Sequence, residues 1–385
     1  MRLAFVTGSL AHGGAERQTL SLAERLAARG HACELVHVKG EAGLVERMPP
    51  RAAAVRSLEA KRYLDQRALG SLARRFSSVQ PEAVVAANGY ALLYAWLALR
   101  ASRCSAPLAV TFHTTRLLDA KQSLQMALYR LFFWSAQCTV FVCESQRAYW
   151  RRRGVFSRRT AVIYNGVDTE TFRDVCGPEE RARLRAVFGF APQDYVIGMS
   201  ALLRPEKNHL QMVEAVARLR SLGYPARALM IGEGEMRGAV EARARALGVA
   251  GDVAITGLKH DVRPYLEACD VVALCSVTEA FSLAAIEAMA FRKPVVHSAV
   301  GGAAEMIIDG RNGYLFPVGD TEALVEKLAL LAEPQARGLM GDRARGVVEM
   351  LFTERVMVDR YEKLLGELVS RKAGRSITSG DISIS

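Results

Sequence analysis

Residues 278–290 read Thr-Glu-Ala-Phe-Ser-Leu-Ala-Ala-Ile-Glu-Ala-Met-Ala and place two carboxylates, Glu279 and Glu287, on either side of a predicted helix start. The apolar run Val271–Cys275 before them predicts a buried strand. Open α/β sheets bind ligands at the carboxyl ends of their strands, so Glu279 is predicted to lie in a ligand-binding loop. Ser282 is predicted to cap the helix and to leave its first amides free for an anion. This order of groups suits a sugar joined to a nucleotide through a diphosphate.

The composition is that of a globular protein with a large core. The chain has 385 residues, of which 50% are hydrophobic, and this length favours two or three domains. Its first residues contain too short an apolar run for a signal peptide, and no apolar stretch approaches the roughly 20 residues that span a bilayer. The seven cysteines are odd in number and show no metal-ligand spacing. We therefore expect a cytoplasmic protein with reduced core thiols and without a zinc site.

The net charge of +11 is concentrated in the N-terminal half. Residues 1–168 hold 24 Lys and Arg against 11 Asp and Glu, whereas the remainder holds 27 against 29. Such asymmetry predicts that the first half meets an anionic partner, for which membrane lipid, a phosphorylated glycan and nucleic acid all qualify. A solvated, arginine-rich surface without a partner is the alternative.

Strands and amphipathic helices alternate in two series along the chain. This alternation predicts an α/β protein with two Rossmann-like, doubly wound domains facing a cleft. The predicted boundaries are 1–168 for the first domain, 169–353 for the second, 354–372 for a helix that crosses back to the first, and 373–385 for a disordered tail. The predicted strands are Arg2–Thr7, Ala32–Val38, Ala83–Ala87, Leu108–Phe112, Cys138–Cys143, Thr160–Tyr164, Tyr195–Ser200, Arg227–Ile231, Val253–Thr256, Val271–Cys275 and Pro294–His297.

Two further loops carry groups suited to phosphate. Gly13 and Gly14 follow the first strand and open a helix, which lets backbone amides approach a phosphate closely, although a plain tight turn fits the same residues. Arg204 and Lys207 follow the first strand of the second series. Two cations at that edge can neutralise a diphosphate leaving group, whereas the alternative is a solvated helix start.

Two other segments give weaker evidence about function. His113 ends the strand Leu108–Phe112 at the predicted ligand edge, where a satisfied loop histidine is the alternative. The apolar residues between Leu117 and Trp134, with the arginines between Tyr149 and Arg159, fit either a membrane-surface stripe or a helix that covers the sheet. The stripe would comprise Met126, Leu128, Leu131, Phe132 and Trp134, beside Arg147, Arg151, Arg152, Arg153, Arg158 and Arg159.

Taken together, the motifs resemble those of the retaining family 4 glycosyltransferases of the GT-B fold, over nearly the whole chain. The resemblance rests on seven sequence features: Gly13-Gly14-Ala15-Glu16, Asn165-Gly166-Val167-Asp168, Arg204-Pro205-Glu206-Lys207-Asn208, the Glu279/Glu287 pair, Gly301-Gly302, Glu305, and Gly310 with Asn312-Gly313. One departure is Leu202, which stands where the family often has arginine. Arg204 offers a guanidinium two positions later.

The resemblance implies retaining transfer of a sugar from a nucleotide donor, most often a UDP-sugar, to a glycan or lipid-linked acceptor in bacterial cell-surface polysaccharide or lipopolysaccharide synthesis. It implies ribose contacts at Glu287 and sugar contacts at Glu279 and His113. Arg204 and Lys207 would stabilise the departing diphosphate. The implied nucleotide-sugar-binding positions are Gly13, Gly14, Gly232, Leu258, Phe281, Ser282, Leu283 and Glu287. No Asp-x-Asp pair is present, so no metal or other cofactor is expected.

Other functions compete with this interpretation. A nucleotide-sugar epimerase or a phosphorylase shares the two-domain architecture, and a donor-binding protein without turnover shares the site. A basic nucleic-acid-binding protein fits the charge, but the chain shows none of the usual recognition motifs. The predicted location is the cytoplasm, with peripheral association at the inner face of the membrane through the basic first domain.

Overall fold

The computed structural model describes residues 1–11, 13–48, 50–114, 120–173 and 177–372. The chain divides into two compact units. The first is Met1–Tyr164 together with the segment that begins at Arg355, and the second is Asn165–Glu354. The predicted tail 373–385 and two residues beside His113, Thr115 and Arg116, lie outside the described residues.

The strands are β1 (Arg2–Thr7), β2 (Ala32–His37), β3 (Ala54–Ser57), β4 (Ala83–Ala87), β5 (Leu108–Phe112), β6 (Cys138–Phe141), β7 (Arg159–Val162), β8 (Tyr195–Ser200), β9 (Ala226–Ile231), β10 (Val253–Ile255), β11 (Val271–Leu274), β12 (Val295–Ser298) and β13 (Gly313–Phe316). The α-helices are α1 (Gly14–Ala28), α2 (Gly43–Arg47), α3 (Gln66–Val79), α4 (Asn88–Ser102), α5 (Ala120–Ser135), α6 (Glu144–Arg151), α7 (Pro178–Ala186), α8 (His209–Ser221), α9 (Arg237–Ala246), α10 (Arg263–Ala268), α11 (Leu283–Ala290), α12 (Ala303–Met306), α13 (Thr321–Leu330), α14 (Pro334–Leu351) and α15 (Glu354–Lys372).

The first unit is built on a seven-stranded sheet in the order β3-β2-β1-β4-β5-β6-β7, with every pair parallel. Alternate side chains of β1 enter two different cores. Leu3 and Phe5 pack with α1 and with Tyr361 of α15, whereas Ala4 and Val6 pack with α3 and α4 on the opposite face. Both faces are therefore covered, as a parallel sheet requires.

The second unit repeats this plan with six parallel strands in the order β10-β9-β8-β11-β12-β13. In both sheets the order reverses beside the first strand, between β1 and β4 and between β8 and β11. Loops that leave neighbouring strands in opposite directions open a crevice at such a switch point, and ligands bind there. The prediction of two Rossmann-like α/β domains is confirmed.

Two strands escaped the prediction. β3 (Ala54–Ser57) is an edge strand with alternating exposure, and Val55 is its one β-branched residue, so its sequence gives a weak strand signal. β13 (Gly313–Phe316) begins with a glycine, because a Cβ at residue 313 would stand 2.6 Å from the carbonyl oxygen of Val295 on the neighbouring strand. This segment forms a strand because it pairs with β12, and not because its own residues have a high strand propensity.

The cysteines in the described part of the chain are free and buried, at residues 33, 104, 138, 143, 269 and 275. Burial raises the pKa of Cys33, Cys138, Cys269 and Cys275 to about 12, so these thiols stay protonated. Across the described ranges no helix is both long and apolar enough to cross a bilayer.

Candidate functional site

The loops after β8 and β11 meet at the switch point of the second sheet. The loop after β8 contains a short 3-10 turn, Pro205–Lys207, and its tip is held to the other loop because the amide of Val277 donates to the carbonyl of Glu206 (2.9 Å). Lys207 Nζ donates to Oε2 of Glu279. Both side chains remain partly accessible, at 23% and 20% exposure, so the pair presents a cation and a carboxylate to a ligand.

The helix α11 points its N-terminus at the same place. Ser282 is its N-cap, as predicted, and its hydroxyl accepts from the amide of Ala285 (3.3 Å). The amides of Leu283 and Ala284 belong to the first helical turn and therefore have no acceptor within the helix. Together with the helix dipole they favour an anion at this end. The ring of Phe281 is buried and packs edge-on against Phe352 (centroids 5.4 Å apart), which fixes the backbone before the cap.

The adjacent glycines Gly301 and Gly302 contact the backbone of the loop that contains Glu279. Gly301 has φ +54°, and a Cβ at this position would overlap the carbonyl oxygen of Glu279. The amide of Gly302 donates to the carbonyl of Ala280 (2.7 Å). The Gly301-Gly302 motif therefore acts through the backbone, since only a residue without a side chain permits this approach.

Glu287 lies on the buried face of α11, with 4% of its surface exposed. It stands five residues beyond Ser282, which is about 7.5 Å along the helix axis at 1.5 Å per residue. That spacing separates a carboxylate from the helix N-terminus by roughly the distance between a diphosphate and the ribose hydroxyls of the same nucleotide. Lys207 and Glu279 form an ion pair in the loops before the N-cap Ser282, and Glu287 lies further along the same helix.

The remaining predicted residues of the second unit have different surroundings. The Arg204 guanidinium is 57% exposed and lies 4.0 Å from the carboxylate of Glu206. Gly232 follows β9, and a Cβ there would overlap the carbonyl oxygen of Ala201, so the glycine permits close passage of two backbones. Leu258 follows β10 and is 42% exposed.

In the first unit, Gly13 is the N-cap of α1 and Gly14 is exposed in its first turn. Gly13 has no side chain with which to cap this end. The carboxylate of Glu16 folds back against Gly13, where a Cβ would overlap it. The helix start therefore faces an acidic group of its own.

His113 is held rigidly at the carboxyl end of β5. Its amide donates to Oδ1 of Asn88 (2.8 Å), a residue in the left-handed region with φ +66°. The next carbonyl, that of Thr114, accepts from Gln146 and from the indole of Trp150, both at 2.9 Å. Desolvation lowers the pKa of His113 to about 4, so the imidazole is neutral near pH 7.

A cluster of tyrosines at the same edge of the first sheet was missed by the sequence analysis. The rings of Tyr63 and Tyr90 lie 5.0 Å apart, and the hydroxyl groups of Tyr63 and Tyr129 are hydrogen-bonded to each other. Gln125 donates to both hydroxyls, and Lys39 lies 6.0 Å from the centre of the Tyr90 ring. Tyr63 is 49% exposed, so one aromatic face is open to solvent. These residues are distant in sequence and no motif joins them.

One cavity of the second unit lies apart from the predicted site residues. A cavity of about 500 Å³ is lined by Glu170, Arg173, Asp261, Arg263 and other residues of the second unit, and none of the predicted site residues lines it. Within the part of the chain that the structure describes, no group of three His, Cys, Asp or Glu side chains has a metal-binding arrangement.

Two sequence profiles match the chain, one for each unit. The profile described as Glycosyltransferase Family 4 matches residues 12–171, and that of Glycosyl transferases group 1 matches residues 180–346. A putative glycosyltransferase of Bacillus subtilis, EpsD, is 31% identical over 215 residues, which cover 55% of this chain and 56% of that protein. The lipopolysaccharide core biosynthesis glycosyltransferase LpsE of Rhizobium meliloti is 30% identical over 155 residues, covering 40% and 44%.

The chain thus spans about half the length of these curated relatives. Its fold matches solved structures over a greater length. The crystal structure of Anabaena HepE in complex with UDP aligns with a TM-score of 0.82 over 95% of this chain and 100% of that one, at 21% identity. Sucrose-phosphate synthase from Thermosynechococcus elongatus aligns at 0.81 over 96% and 100%, at 20% identity. The fold is therefore shared even where few residues are.

Proposed function

Because the chain belongs to glycosyltransferase family 4 and has the GT-B fold, we propose that it transfers a sugar from a nucleotide-sugar donor to a saccharide acceptor with retention at the anomeric carbon. The second unit binds the donor and the first binds the acceptor. The helix 354–372 completes the core of the first unit, so the proposed acceptor domain contains both ends of the described chain.

The Lys207–Glu279 pair at the start of α11 is the observation that carries this proposal. A diphosphate leaving group gains negative charge as its bond to the sugar breaks. In the proposed donor complex the ammonium group and the first-turn amides face that charge and are in place before the reaction begins, which limits the reorganisation of solvent. Glu287 is the proposed partner of the ribose hydroxyls and Glu279 of the donor sugar. Arg204, exposed nearby, adds positive charge at the edge of the site.

The proposed mechanism is front-face transfer. The bond between the anomeric carbon and the diphosphate oxygen breaks, and the acceptor oxygen bonds to the same face of that carbon. The acceptor proton passes to the departing diphosphate, so charge and atoms balance without a covalent enzyme intermediate. The neutral imidazole of His113 contacts the reacting sugar, and no step uses a metal ion or another cofactor. Detection of a glycosyl group attached to Glu279 by mass spectrometry would contradict this mechanism.

A UDP-sugar is the proposed donor, supported by the UDP complex of the structurally similar HepE. The proposed acceptor is a glycan or lipid-linked saccharide of bacterial surface polysaccharide or lipopolysaccharide synthesis, supported by the relative LpsE. The protein is proposed to work in the cytoplasm at the inner face of the membrane. Nucleic acid is not a proposed partner.

A panel of UDP-, GDP- and ADP-sugars tests the donor. A ligand that binds only the folded state raises its melting temperature, so one nucleotide class should produce a shift and release of the nucleoside diphosphate on prolonged incubation. Glu287→Gln should abolish the shift for the nucleotide sugar. Glu322→Gln is the matched control, because that carboxylate is 74% exposed on α13.

The outcomes separate the alternatives. Conversion of the donor sugar to its epimer without an acceptor would show that the protein is an epimerase and not a transferase. A melting-temperature shift without nucleotide release, in the presence of an acceptor extract, would reduce the protein to a donor-binding module. If no nucleotide sugar changes the melting temperature, the assignment of the second unit is wrong.

A further inference from the structure

The helix α5 has apolar residues on two opposite faces. Met126, Tyr129 and Phe133 point into the core of the first unit and are at most 6% exposed. Leu124, Leu128, Leu131 and Trp134 lie on the opposite side, with exposures of 77%, 53%, 57% and 46%. The sequence allowed either a membrane-surface stripe or a helix that covers the sheet, and each interpretation fits some of these residues. Met126 and Phe132 pack with the core, whereas Leu128, Leu131 and Trp134 face solvent.

The exposed face continues onto the loop that follows α6. The indole of Trp134 donates to the carbonyl of Gly154 (2.8 Å), and its ring lies 6.4 Å from that of Phe156. Phe156 is itself 41% exposed. The hydroxyl of Ser157 donates to the carbonyl of Phe133 (2.7 Å), so the loop is fastened to α5. We call the exposed side chains of Leu124, Leu128, Leu131, Trp134 and Phe156 the α5 patch.

Arginines border the α5 patch. Arg151, Arg152 and Arg158 are exposed, on either side of Phe156 in the sequence. The guanidinium of Arg153 stacks 3.7 Å from the centre of the Tyr149 ring, which holds it at the same end of α6. Glu144 is paired with Arg147 at 2.5 Å, and Glu367 is paired with Arg159 at 2.7 Å. The border is therefore strongly cationic, in a unit that carries most of the chain's excess positive charge.

We propose that the α5 patch and its arginine border form a docking surface for an anionic lipid bilayer. Leucines with one tryptophan and one phenylalanine can enter the boundary between headgroups and acyl chains, and arginines beside them pair with lipid phosphates. A protein partner would also cover apolar side chains. The exposed arginines beside Phe156 favour a charged lipid surface, because their charge complements that of lipid phosphates.

The position of α5 gives this surface a purpose that rests on the proposed function. The helix follows β5 and His113 along the chain, so it begins at the edge of the first sheet proposed for the acceptor. Tyr129 and Gln125 belong to the inner side of the same helix and contact Tyr63. One helix therefore joins the bilayer to the acceptor edge, which suits an acceptor saccharide attached to a membrane lipid.

Sedimentation of the full chain with vesicles tests the proposal. The protein should bind vesicles that contain phosphatidylglycerol and cardiolipin, and it should not bind pure phosphatidylcholine. Leu128→Ser with Leu131→Ser should weaken binding by about tenfold or more. Arg152→Ala with Arg158→Ala should weaken it by about tenfold at low salt and remove most of its salt dependence. Leu339→Ser with Met350→Ser is the matched control, because these side chains are 56% and 72% exposed on α14 of the other unit.

Fluorescence locates the contact. Anionic vesicles should shift the emission of Trp134 to shorter wavelength, and Trp134→Phe should remove the shift while the buried Trp150 stays unaffected. Absence of vesicle binding at low salt, or equal losses in the α14 control, would overturn the proposal, as would retention of binding by the leucine variant. Nucleotide release from the donor without vesicles should be the same in the leucine variant and the wild type. Failure of the proposed transfer reaction would therefore leave the vesicle result standing.

Discussion

Gly301 lies against the backbone carbonyl oxygen of Glu279, so closely that a Cβ at residue 301 would overlap that oxygen. Its φ of +54° is also in the left-handed region. The conformation of the loop that presents Glu279 therefore depends on a glycine more than twenty residues away. The contact is made by backbone alone, so no side chain of the loop can compensate for its loss.

Gly301→Ala should lower the free energy of unfolding by about 3 kcal/mol and abolish the melting-temperature shift caused by the donor. The left-handed backbone accounts for about 1–2 kcal/mol of this loss, and displacement of the Glu279 loop accounts for the rest. Gly319→Ala isolates the first contribution, because Gly319 has φ +79° but no atom within 4 Å of a built Cβ. Equal effects of both substitutions on stability and donor binding would show that the contact at Glu279 is unimportant.

Lys207→Met should reduce nucleotide release from the donor by about 10²–10³-fold, with a smaller effect on donor affinity. The reason is that the ammonium group is most valuable when the diphosphate carries its developing charge. Lys327→Met is the control, since Lys327 lies on α13, where it pairs with the exposed Glu326 and stands 5.6 Å from the centre of the Tyr314 ring. Kinetics at saturating donor measure the difference. If Lys207 merely balances Glu279, adding Glu279→Gln to Lys207→Met should restore the rate, and that result would contradict the catalytic role.

The second unit was predictable where chemistry and local structure coincide in a short segment. Ser282 marks a helix start by its own side chain, and Glu279 follows an apolar run that ends one residue after the strand Val271–Leu274. Such signals lie within a dozen residues of one another, so they can be recognised in a single sequence without knowledge of the fold. The pairing of Lys207 with Glu279 could be expected as well, because adjacent parallel strands bring their carboxyl ends together.

The first unit was less predictable because its features depend on which side of an element faces the core. Apolar residues occur all round α5, so periodicity alone cannot show that Leu128 and Leu131 face solvent while Met126 packs inward. The tyrosine cluster joins three segments that are distant in the sequence, at Tyr63, Tyr90 and Tyr129. Such proximity follows from strand order, which single-sequence reasoning does not supply.

Tyr63→Ala should raise the KM for the acceptor and leave donor affinity unchanged. The exposed ring of Tyr63, backed by Tyr90, offers an apolar face on which a sugar ring can pack. Its loss should raise the acceptor KM by about tenfold, with little change in kcat. Leu64→Ala is the matched control, because the neighbouring Leu64 is equally exposed at 49%. Equal kinetics of the two variants would remove the tyrosine cluster from the acceptor site.

The buried imidazole of His209 leads us to expect that the second unit loses stability in acid. The side chain is 2% exposed at the start of α8, with the backbone of Ala201 beside its ring. Desolvation and the charge of Lys207 outweigh the hydrogen bond with the backbone of Ala201 and lower the pKa of His209 from 6.5 to about 4. The unfolded chain therefore takes up a proton as the pH falls below 6.5, whereas the folded protein does not until about pH 4. Stability supplied by the neutral imidazole is lost across that range.

Between pH 7 and pH 5, this single group should reduce the free energy of unfolding by about 2 kcal/mol. His209→Met should remove that part of the pH dependence and cost little at pH 7, since a methionine fills the space without an unpaired polar atom. Urea unfolding at the two pH values measures both quantities. His260→Met, at an exposed position after β10, should retain the full dependence on pH. If His209→Met and His260→Met lose stability equally on acidification, the imidazole of His209 already carries its proton in the folded state, and its buried, neutral form is refuted.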